Sequence, residues 1–293
     1  MLFDIDRQEI VADHTCAYET SYPGPGRVEH DPDDWWQAVC TATKLLLEKT
    51  GADKDRILGV SFSAIMNTCL PVDGQGRPLR PAMIWSDQRG MDQLDRLHET
   101  ATEDEFYSVA GHRIDGTYGI AKMLWLKGHE GEVYSRTKYF LQAKDYVIFK
   151  LTGVFATDLS DASHLGVLDQ RTKHYWLDLL NGVGLDPSLL PELRASTDVI
   201  GTVSPLAASE TGLSAGTPVV MGGGDGCCAT AGAGVYRPGQ GYNVLGTSSW
   251  IGTLSDRMVD DVDRVSFSFI HLDGKNHVVL GTMQSAGHSR IGS

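Results

Sequence analysis

The amino-acid sequence predicts an α/β protein, in which a mixed sheet is flanked by helices and is followed by a second domain. Three observations support this prediction. Short apolar runs typical of strands alternate with stretches of helical periodicity over most of the chain. A Gly-rich turn at residues 222–226 joins a buried strand to a helix. After Pro238 the apolar residues alternate, as in the strands of another sheet.

The predicted elements follow from periodicity and turn signals along the chain. Helices are predicted at residues 35–49, over most of 87–150 with a loop at 111–119, and at 227–235. Strands are predicted at residues 2–19 (two short strands joined by a polar turn), 57–63, 68–73, 82–85, 217–221, 241–254 and 265–280. We place the domain boundary between residues 1–237 and 238–293.

Composition excludes several classes of partner. The chain has 293 residues and a net charge of −13, which argues against binding to nucleic acid or to an anionic membrane surface. No apolar run is long enough to span a membrane. The five cysteines form no C-x-x-C pair, so we expect reduced thiols in a cytoplasmic protein and no zinc site.

The Gly-rich turn carries an acid, Asp225, at the start of the predicted helix. Ligands of α/β sheets bind beyond the carboxyl ends of strands, where this turn lies. We interpret Asp225 as a general base that accepts a proton from a substrate hydroxyl during phosphoryl transfer. Two alternatives stay open: a purely structural turn, and a dinucleotide fingerprint read from Gly224 to Ala229. The fingerprint is disfavoured because Asp225 would repel the phosphates and no acid follows about 20 residues later.

Two further segments are candidate binding sites. The turn at residues 246–249 presents small hydroxylated residues that suit phosphate oxygens, although Gly-Thr-Ser is also common hairpin chemistry. In the segment 85–89, Trp85 offers a flat face to a sugar ring, and Asp87 and Arg89 can bind hydroxyls. The structural alternative is a core Trp, a capping Asp and a surface Arg. No G-x-S-x-G elbow and no Walker A loop is present, which disfavours hydrolases and P-loop enzymes.

Together these segments resemble the FGGY family of carbohydrate kinases, and most of all its xylulokinase-like branch. The resemblance runs through PGPGRVEHDPDDWWQA, GVSFSAIMNTCLPVDGQGRPLRPAMIWSDQRG, DYVIFKLTGVFATDLSDAS, GLSAGTPVVMGGGDGCCATAGAG and NVLGTSS. It implies an actin-like, ribonuclease-H-like fold, with sugar bound on the first domain and ATP with Mg²⁺ bound mainly against the second. It also implies a cytoplasmic enzyme that phosphorylates a small sugar, with D-xylulose the first candidate.

The resemblance also implies roles for individual residues. It assigns Asp225 as the base, and it places Gly246, Thr247 and Ser248 in the turn that faces the ATP phosphates. The residues implied near the sugar are Met66, Asn67, Trp85, Asp87, Arg89 and Gly226. Asn67-Thr68 stands where the family usually has His-Gly, and Gly226 stands where many xylulokinases have Asn, so the identity of the ketose is left open.

The same resemblance leads to expectations about completeness. The family begins with a strand carrying Asp-x-Gly-Thr, whereas Met1-Leu-Phe-Asp4 matches the strand after it, and the chain stops early in the second domain. We therefore expect negligible kinase activity from this polypeptide alone, some retained sugar affinity, and an exposed strand edge open to association, for example as a homodimer. The alternatives are a noncatalytic sugar-binding or regulatory remnant and, less favoured, an NAD-dependent oxidoreductase.

Overall fold

The protein is described by a computed structural model that covers residues 1–245 and 249–283. Helix α1 begins after Asp31, whose side chain accepts a hydrogen bond from Asp33 N, and ends at Gly51 in the left-handed conformation. The α-helices are α1 Pro32–Thr50, α2 Leu94–Thr100, α3 Glu103–Ala110, α4 Gly119–His129, α5 Gly131–Arg136, α6 Ala143–Thr152, α7 Leu159–His164, α8 Leu177–Gly182, α9 Pro205–Thr211 and α10 Asp225–Gly232; short 3₁₀ helices lie at Lys54–Arg56, Arg89–Gln93 and Pro187–Leu189.

The strands are short and numerous. They are β1 Leu2–Asp4, β2 Glu9–Ala12, β3 Ser21–Gly24, β4 Arg27–His30, β5 Ser63–Ala64, β6 Leu70–Val72, β7 Ala82–Met83, β8 Tyr139–Leu141, β9 Ala156–Asp158, β10 Leu168–Asp169, β11 His174–Tyr175, β12 Glu192–Arg194, β13 Val199–Thr202, β14 Pro218–Val220, β15 Gly223–Gly224, β16 Gly241–Leu245, β17 Ser249–Ser255, β18 Phe267–Ile270 and β19 His277–Met283.

Parallel and antiparallel strand pairs are both present, in separate sheets of two to four strands. The parallel pairs are β5 with β15 and β9 with β12. The antiparallel pairs include β1 with β2, β4 with β7, and β13 with β14. The predicted second sheet is also present: β16, β17, β19 and β18 pair in that order, all antiparallel.

The apolar run 57–63 was predicted as one strand, and this prediction is only partly right. The regular strand is limited to β5, with a single parallel bridge upstream between Val60 and Val219. Two features interrupt the ladder on the partner side. Pro218 has no N–H to donate. Gly222 has a φ of +68°, so the chain turns between β14 and β15.

The hydrophobic core consists of clusters that correspond to packed layers. One surrounds α4 and includes Phe106, Leu124 and Phe140. Another lies between α1, α6 and the strands and includes Trp36 and Tyr146. A further cluster packs the second sheet against the Gly-rich turn through Met66, Cys227, Val235, Leu254, Phe269, Val278 and Leu280. Within residues 1–245 and 249–283, no helix has both the length and the apolar character needed to cross a bilayer.

Candidate active site

Two of the predicted site segments meet at one edge of the sheet. Strand β5 pairs in parallel with β15, with Ser63 opposite Gly223 and Ala64 opposite Gly224. The residues that follow these strands therefore emerge side by side at their carboxyl ends. Met66 and Asn67 follow β5, and Asp225 follows β15, so segments about 160 residues apart in the chain form one site.

The glycines of the turn allow this close approach. A Cβ atom on Gly224 would lie 2.6 Å from Met66 Sδ, which is closer than real Cβ atoms approach a neighbour. A Cβ on Gly226 would meet Phe269 Cζ at 3.1 Å, with Met66 Sδ at 3.8 Å. The side chain of Met66 thus lies across the turn that carries Asp225, and it packs against the second sheet behind it.

Asp225 is the first residue of α10, and its side chain is exposed to solvent. The Gly226 N–H donates a hydrogen bond of 2.8 Å to Asp225 Oδ1. Although the side chain reaches solvent, the protein surrounding the carboxyl removes part of its hydration. This desolvation raises the pKa of Asp225 above its usual value, against the opposing effect of the hydrogen bond from Gly226. The carboxylate therefore combines access to a ligand with increased basicity.

Asn67 has two unusual features. Its φ is +58°, in the left-handed region that residues other than glycine seldom adopt. Its side chain is 5% exposed, and among the described residues Oδ1 has no hydrogen-bond partner. A buried acceptor without a partner costs about 1–3 kcal/mol, and such groups concentrate at functional sites.

Lys122, which the sequence analysis did not identify, connects the Asn67 segment to the Trp85 segment. Its Nζ donates to the backbone oxygens of Asn67 at 2.8 Å and of Ile84 at 2.7 Å. The side chain is fully buried on α4, and burial lowers the pKa of Lys122 to about 8. A signal was present in the sequence, because the first eight residues of α4 are apolar on all sides except for this lysine.

Trp85, one residue after Ile84, is 60% exposed, although tryptophan is usually a core residue. It follows strand β7, as predicted, and its ring is free to present a face to a ligand. The link from Trp85 to the Asn67 segment runs through the Ile84 carbonyl and Lys122.

Asp87 and Arg89, which follow Trp85 in the chain, form part of a buried ionic network. Asp87 is fully buried and accepts hydrogen bonds from Val28 N at 2.7 Å, Arg89 N at 3.1 Å and Arg89 Nη2 at 2.6 Å. Burial opposes ionisation of Asp87, but these hydrogen bonds outweigh it and hold its pKa below the usual value. Arg89 Nη2 also lies 2.6 Å from Glu29 Oε1, and its guanidinium lies 5.0 Å from the ring centre of Trp125. Sequence analysis missed Glu29, which reads as an ordinary strand acid.

The predicted phosphate turn at Gly246, Thr247 and Ser248 lies outside the described residues. The strands on either side form the expected hairpin, in which Leu245 of β16 pairs with Ser249 of β17. Within the described part of the chain, no group of three or more His, Cys, Asp or Glu side chains is arranged to hold a metal ion. The residues expected to face ATP and Mg²⁺ therefore stay predictions.

The matching family model and the similar curated proteins described next are all kinases. The FGGY family of carbohydrate kinases, N-terminal domain, matches residues 1–232. The xylulose kinase of Bacillus subtilis is 31% identical over 281 residues, which cover 96% of this chain and 56% of that protein. The autoinducer-2 kinase of Salmonella paratyphi A is 31% identical over 258 residues, which cover 85% of this chain and 47% of that protein.

A solved structure supports the fold directly. The crystal structure of xylulose kinase from Rhodospirillum rubrum matches with a TM-score of 0.87 at 27% identity, covering 92% of this chain and 55% of that chain. The predicted actin-like fold is confirmed by such neighbours. The chain spans about half the length of the curated relatives it matches. The match over residues 1–232, together with relatives that align along most of the sequence, shows that the chain belongs to the FGGY family of carbohydrate kinases.

Proposed function

We propose that this chain takes part in the ATP-dependent phosphorylation of a sugar hydroxyl, with Asp225 as the general base. The observation that carries the proposal is the parallel pairing of β5 with β15, which sets Met66 and Asn67 beside Asp225. At this edge lie the exposed carboxylate of Asp225, the mostly buried thioether of Met66, and the buried amide oxygen of Asn67, which has no hydrogen-bond partner among the described residues. That combination suits one face of a sugar.

Asp225 would supply one part of the chemistry, which is to accept the proton of the attacking hydroxyl. Phosphoryl transfer depends mainly on positioning and charge stabilisation, and a carboxylate orients and deprotonates the attacking hydroxyl. A general base works best when its pKa approaches the working pH, so the raised pKa of Asp225 favours this role. The hydrogen bond from Gly226 N holds Oδ1 and leaves Oδ2 for the substrate.

A pentulose such as D-xylulose is the substrate we propose, with Met66, Asn67, Trp85 and Gly226 around it. Trp85 would stack on the apolar face of the sugar, and the Asn67 amide would bind a hydroxyl. Asp87 and Arg89 would act indirectly, by holding the backbone of the Trp85 segment in place, since their hydrogen bonds are directed to each other and to Glu29. The autoinducer-2 kinase is 31% identical to this chain, as the Bacillus subtilis xylulose kinase is, but it is named for a different substrate. The sugar must therefore be determined directly.

The nucleotide belongs to the same proposal. Gly246, Thr247 and Ser248 would hold its phosphates at the tip of the β16–β17 hairpin, and ATP with Mg²⁺ would supply the phosphoryl group when bound. We propose residues 1–237 as the sugar-binding domain and residues 238–293 as the beginning of the nucleotide-binding domain. The FGGY family assignment favours this reading over the NAD-dependent oxidoreductase.

The test combines calorimetry with a coupled assay of ADP release. D-xylulose is titrated into the wild type, Asp225→Asn and Asp256→Asn, the last being an exposed aspartate after β17 that serves as control. We expect D-xylulose to bind to the wild type and to Asp256→Asn, and binding to Asp225→Asn to be weakened. Any ADP release with Mg·ATP should fall about 10²–10⁴-fold in Asp225→Asn. Equal binding and equal turnover by all three proteins would contradict the proposal.

The second candidate is a noncatalytic sugar-binding protein, in which the exposed Asp225 carboxylate would bind a hydroxyl without any phosphoryl transfer. In that case D-xylulose would bind with the same affinity with and without Mg·ATP, and no ADP would appear. Coupling of the two ligands, seen as a change in sugar affinity when Mg·ATP is added, would instead support the kinase.

A further inference from the structure

A sealed charge cluster lies directly beneath the Gly-rich turn. Lys144 Nζ lies 2.7 Å from Asp145 Oδ1, 3.0 Å from Asp158 Oδ1 and 2.8 Å from Asp161 Oδ2, and none of the four side chains is exposed. The cluster comes from α6, β9 and α7, and it contains none of the residues assigned above to the sugar or the nucleotide.

The three acids of this cluster are not equivalent. One ammonium cannot neutralise three buried carboxylates, and an uncompensated buried charge is strongly unfavourable. Burial raises the pKa of both Asp145 and Asp161. Burial also opposes ionisation of Asp158, but Lys144 and the hydroxyls of Ser160 and Ser196 outweigh it and keep the pKa of Asp158 below its usual value. The surroundings of Asp158 therefore stabilise its ionised form, which accepts hydrogen bonds.

Asp158 orients the hydroxyl of Ser160. Asp158 Oδ2 accepts hydrogen bonds of 2.6 Å from Ser160 Oγ and of 2.6 Å from Ser196 Oγ. Because the Ser160 hydroxyl hydrogen points at Asp158, its oxygen lone pairs are free to accept. The Gly224 N–H donates to this oxygen at 3.1 Å. A chain of hydrogen bonds thus runs from Asp158 through Ser160 to the N–H of Gly224, the residue immediately before Asp225.

The packing of the turn confirms how closely it lies on Ser160. A Cβ atom on Gly223 would stand 2.9 Å from Ser160 Oγ and 2.3 Å from Leu272 Cδ2. The Gly223 backbone therefore rests on the serine hydroxyl, whereas Met66 packs against Gly224 on another side. The Gly223–Gly224 backbone therefore has Ser160 and Met66 as close neighbours.

We propose that Ser160 is a positioning residue for Asp225: oriented by Asp158, it fixes the Gly223–Gly224 backbone and thereby the direction of the Asp225 carboxylate. The inference rests on the proposed role of Asp225 as a base. On this inference, the buried cluster holds Asp158 in place under the turn that carries Asp225.

Ser196 provides a matched control. Its hydroxyl donates to the same Asp158 oxygen at the same distance, but within the described residues its side chain makes no hydrogen bond to the turn. Ser160→Ala and Ser196→Ala each delete one oxygen and one hydrogen bond to Asp158. A purely structural role for the cluster predicts the same effect for both variants, whereas the positioning role predicts an effect on Asp225 for Ser160→Ala alone.

The experiment is a titration of the Asp225 carboxyl by ¹³C NMR in the wild type and both variants, after thermal unfolding has shown that each is folded. We expect the Asp225 midpoint to fall by about half a unit to one unit in Ser160→Ala, because a loosened turn lets water reach the carboxylate, and to stay unchanged in Ser196→Ala. No change in Ser160→Ala, a rise, or an equal fall in both variants would overturn the inference.

Sugar binding separates this inference from the proposed function. D-xylulose affinity is measured on the same three proteins, with an expected loss of about threefold to tenfold in Ser160→Ala and none in Ser196→Ala. If the wild type binds no D-xylulose, the proposed sugar is wrong, and the NMR midpoints still decide whether Ser160 positions Asp225.

Discussion

The sulfur of Met66 occupies the space that a side chain on Gly224 would need, with Sδ 2.6 Å from the position of a Cβ atom. Met66 follows β5 and Gly224 ends β15, and the parallel pairing of these strands brings them together. The contact joins the segment that follows β5 to the turn of Asp225. A substitution in either segment should therefore change the packing of the other.

Gly224→Ala tests this contact. We expect the added methyl group to displace Met66 and lower the free energy of unfolding by about 1–3 kcal/mol, as overpacking of a core usually does. Urea unfolding measures the effect. Gly232→Ala is the control, because a Cβ there meets nothing within 4 Å and lies at the end of α10, where alanine should be neutral or stabilising. Equal stability of Gly224→Ala and the wild type would show that the turn and Met66 are not in close contact.

Asp87→Asn tests whether this acid supports the structure or binds sugar directly. The substitution removes one of the two buried carboxylates that pair with Arg89, the other being Glu29, so we expect a loss of about 3 kcal/mol in the free energy of unfolding. Asp92→Asn, which disrupts a half-exposed pair with His129, should cost less than about 1 kcal/mol. If Asp87→Asn were as stable as the wild type and lost only sugar affinity, Asp87 would be a direct sugar ligand.

Lys122 should make the stability depend on pH in the alkaline range. Burial lowers the pKa of Lys122 in the folded protein to about 8, whereas the ordinary value is 10.5. Between these values the unfolded chain binds a proton that the folded chain does not, so the free energy of unfolding should rise with pH, by up to about 1.4 kcal/mol per unit.

The measurement is the difference in free energy of unfolding between the wild type and Lys122→Met at pH 8 and pH 10. The difference should shift in favour of the wild type as the pH rises. Lys127→Met, on the same helix and also hydrogen bonded to a backbone carbonyl, controls for the loss of a lysine. A difference that stays constant with pH would show that the Lys122 ammonium is hydrated in the folded protein and that its pKa is not lowered by burial.

Local signals in the sequence predicted much of the fold. The periodicity at residues 35–49 predicted most of α1, and the alternation at residues 241–254 predicted the strands β16 and β17, because both patterns are properties of neighbouring residues. The strand predicted at residues 57–63 was too long. Its length depends on a distant partner that contains Pro218 and turns at Gly222, and no local pattern reports this.

Only part of the candidate site was predicted, because local sequence patterns identify some of its residues and not others. Asp225 and Trp85 follow strands and could be identified from their own surroundings. Ser160 could not, since its partner Gly224 lies 64 residues away in the chain. The apolar surroundings of Lys122 in the sequence indicate that it is buried, but they do not identify its partner Asn67, 55 residues away. Asp158 and Ser160 read as an ordinary helix cap, which they also are, and only the tertiary structure shows that the Ser160 hydroxyl accepts a hydrogen bond from Gly224 N.

The central claim is that the Asp225 carboxylate binds a sugar hydroxyl, and the most direct test is the affinity for D-xylulose as a function of pH in the wild type and Asp225→Asn. The carboxylate must be ionised to accept the hydroxyl proton, so wild-type affinity should fall as the pH drops through the raised pKa of Asp225. Asp225→Asn should bind about 10-fold to 100-fold more weakly at neutral pH, with no such dependence. Equal affinities with the same pH profile in the two proteins would contradict the claim.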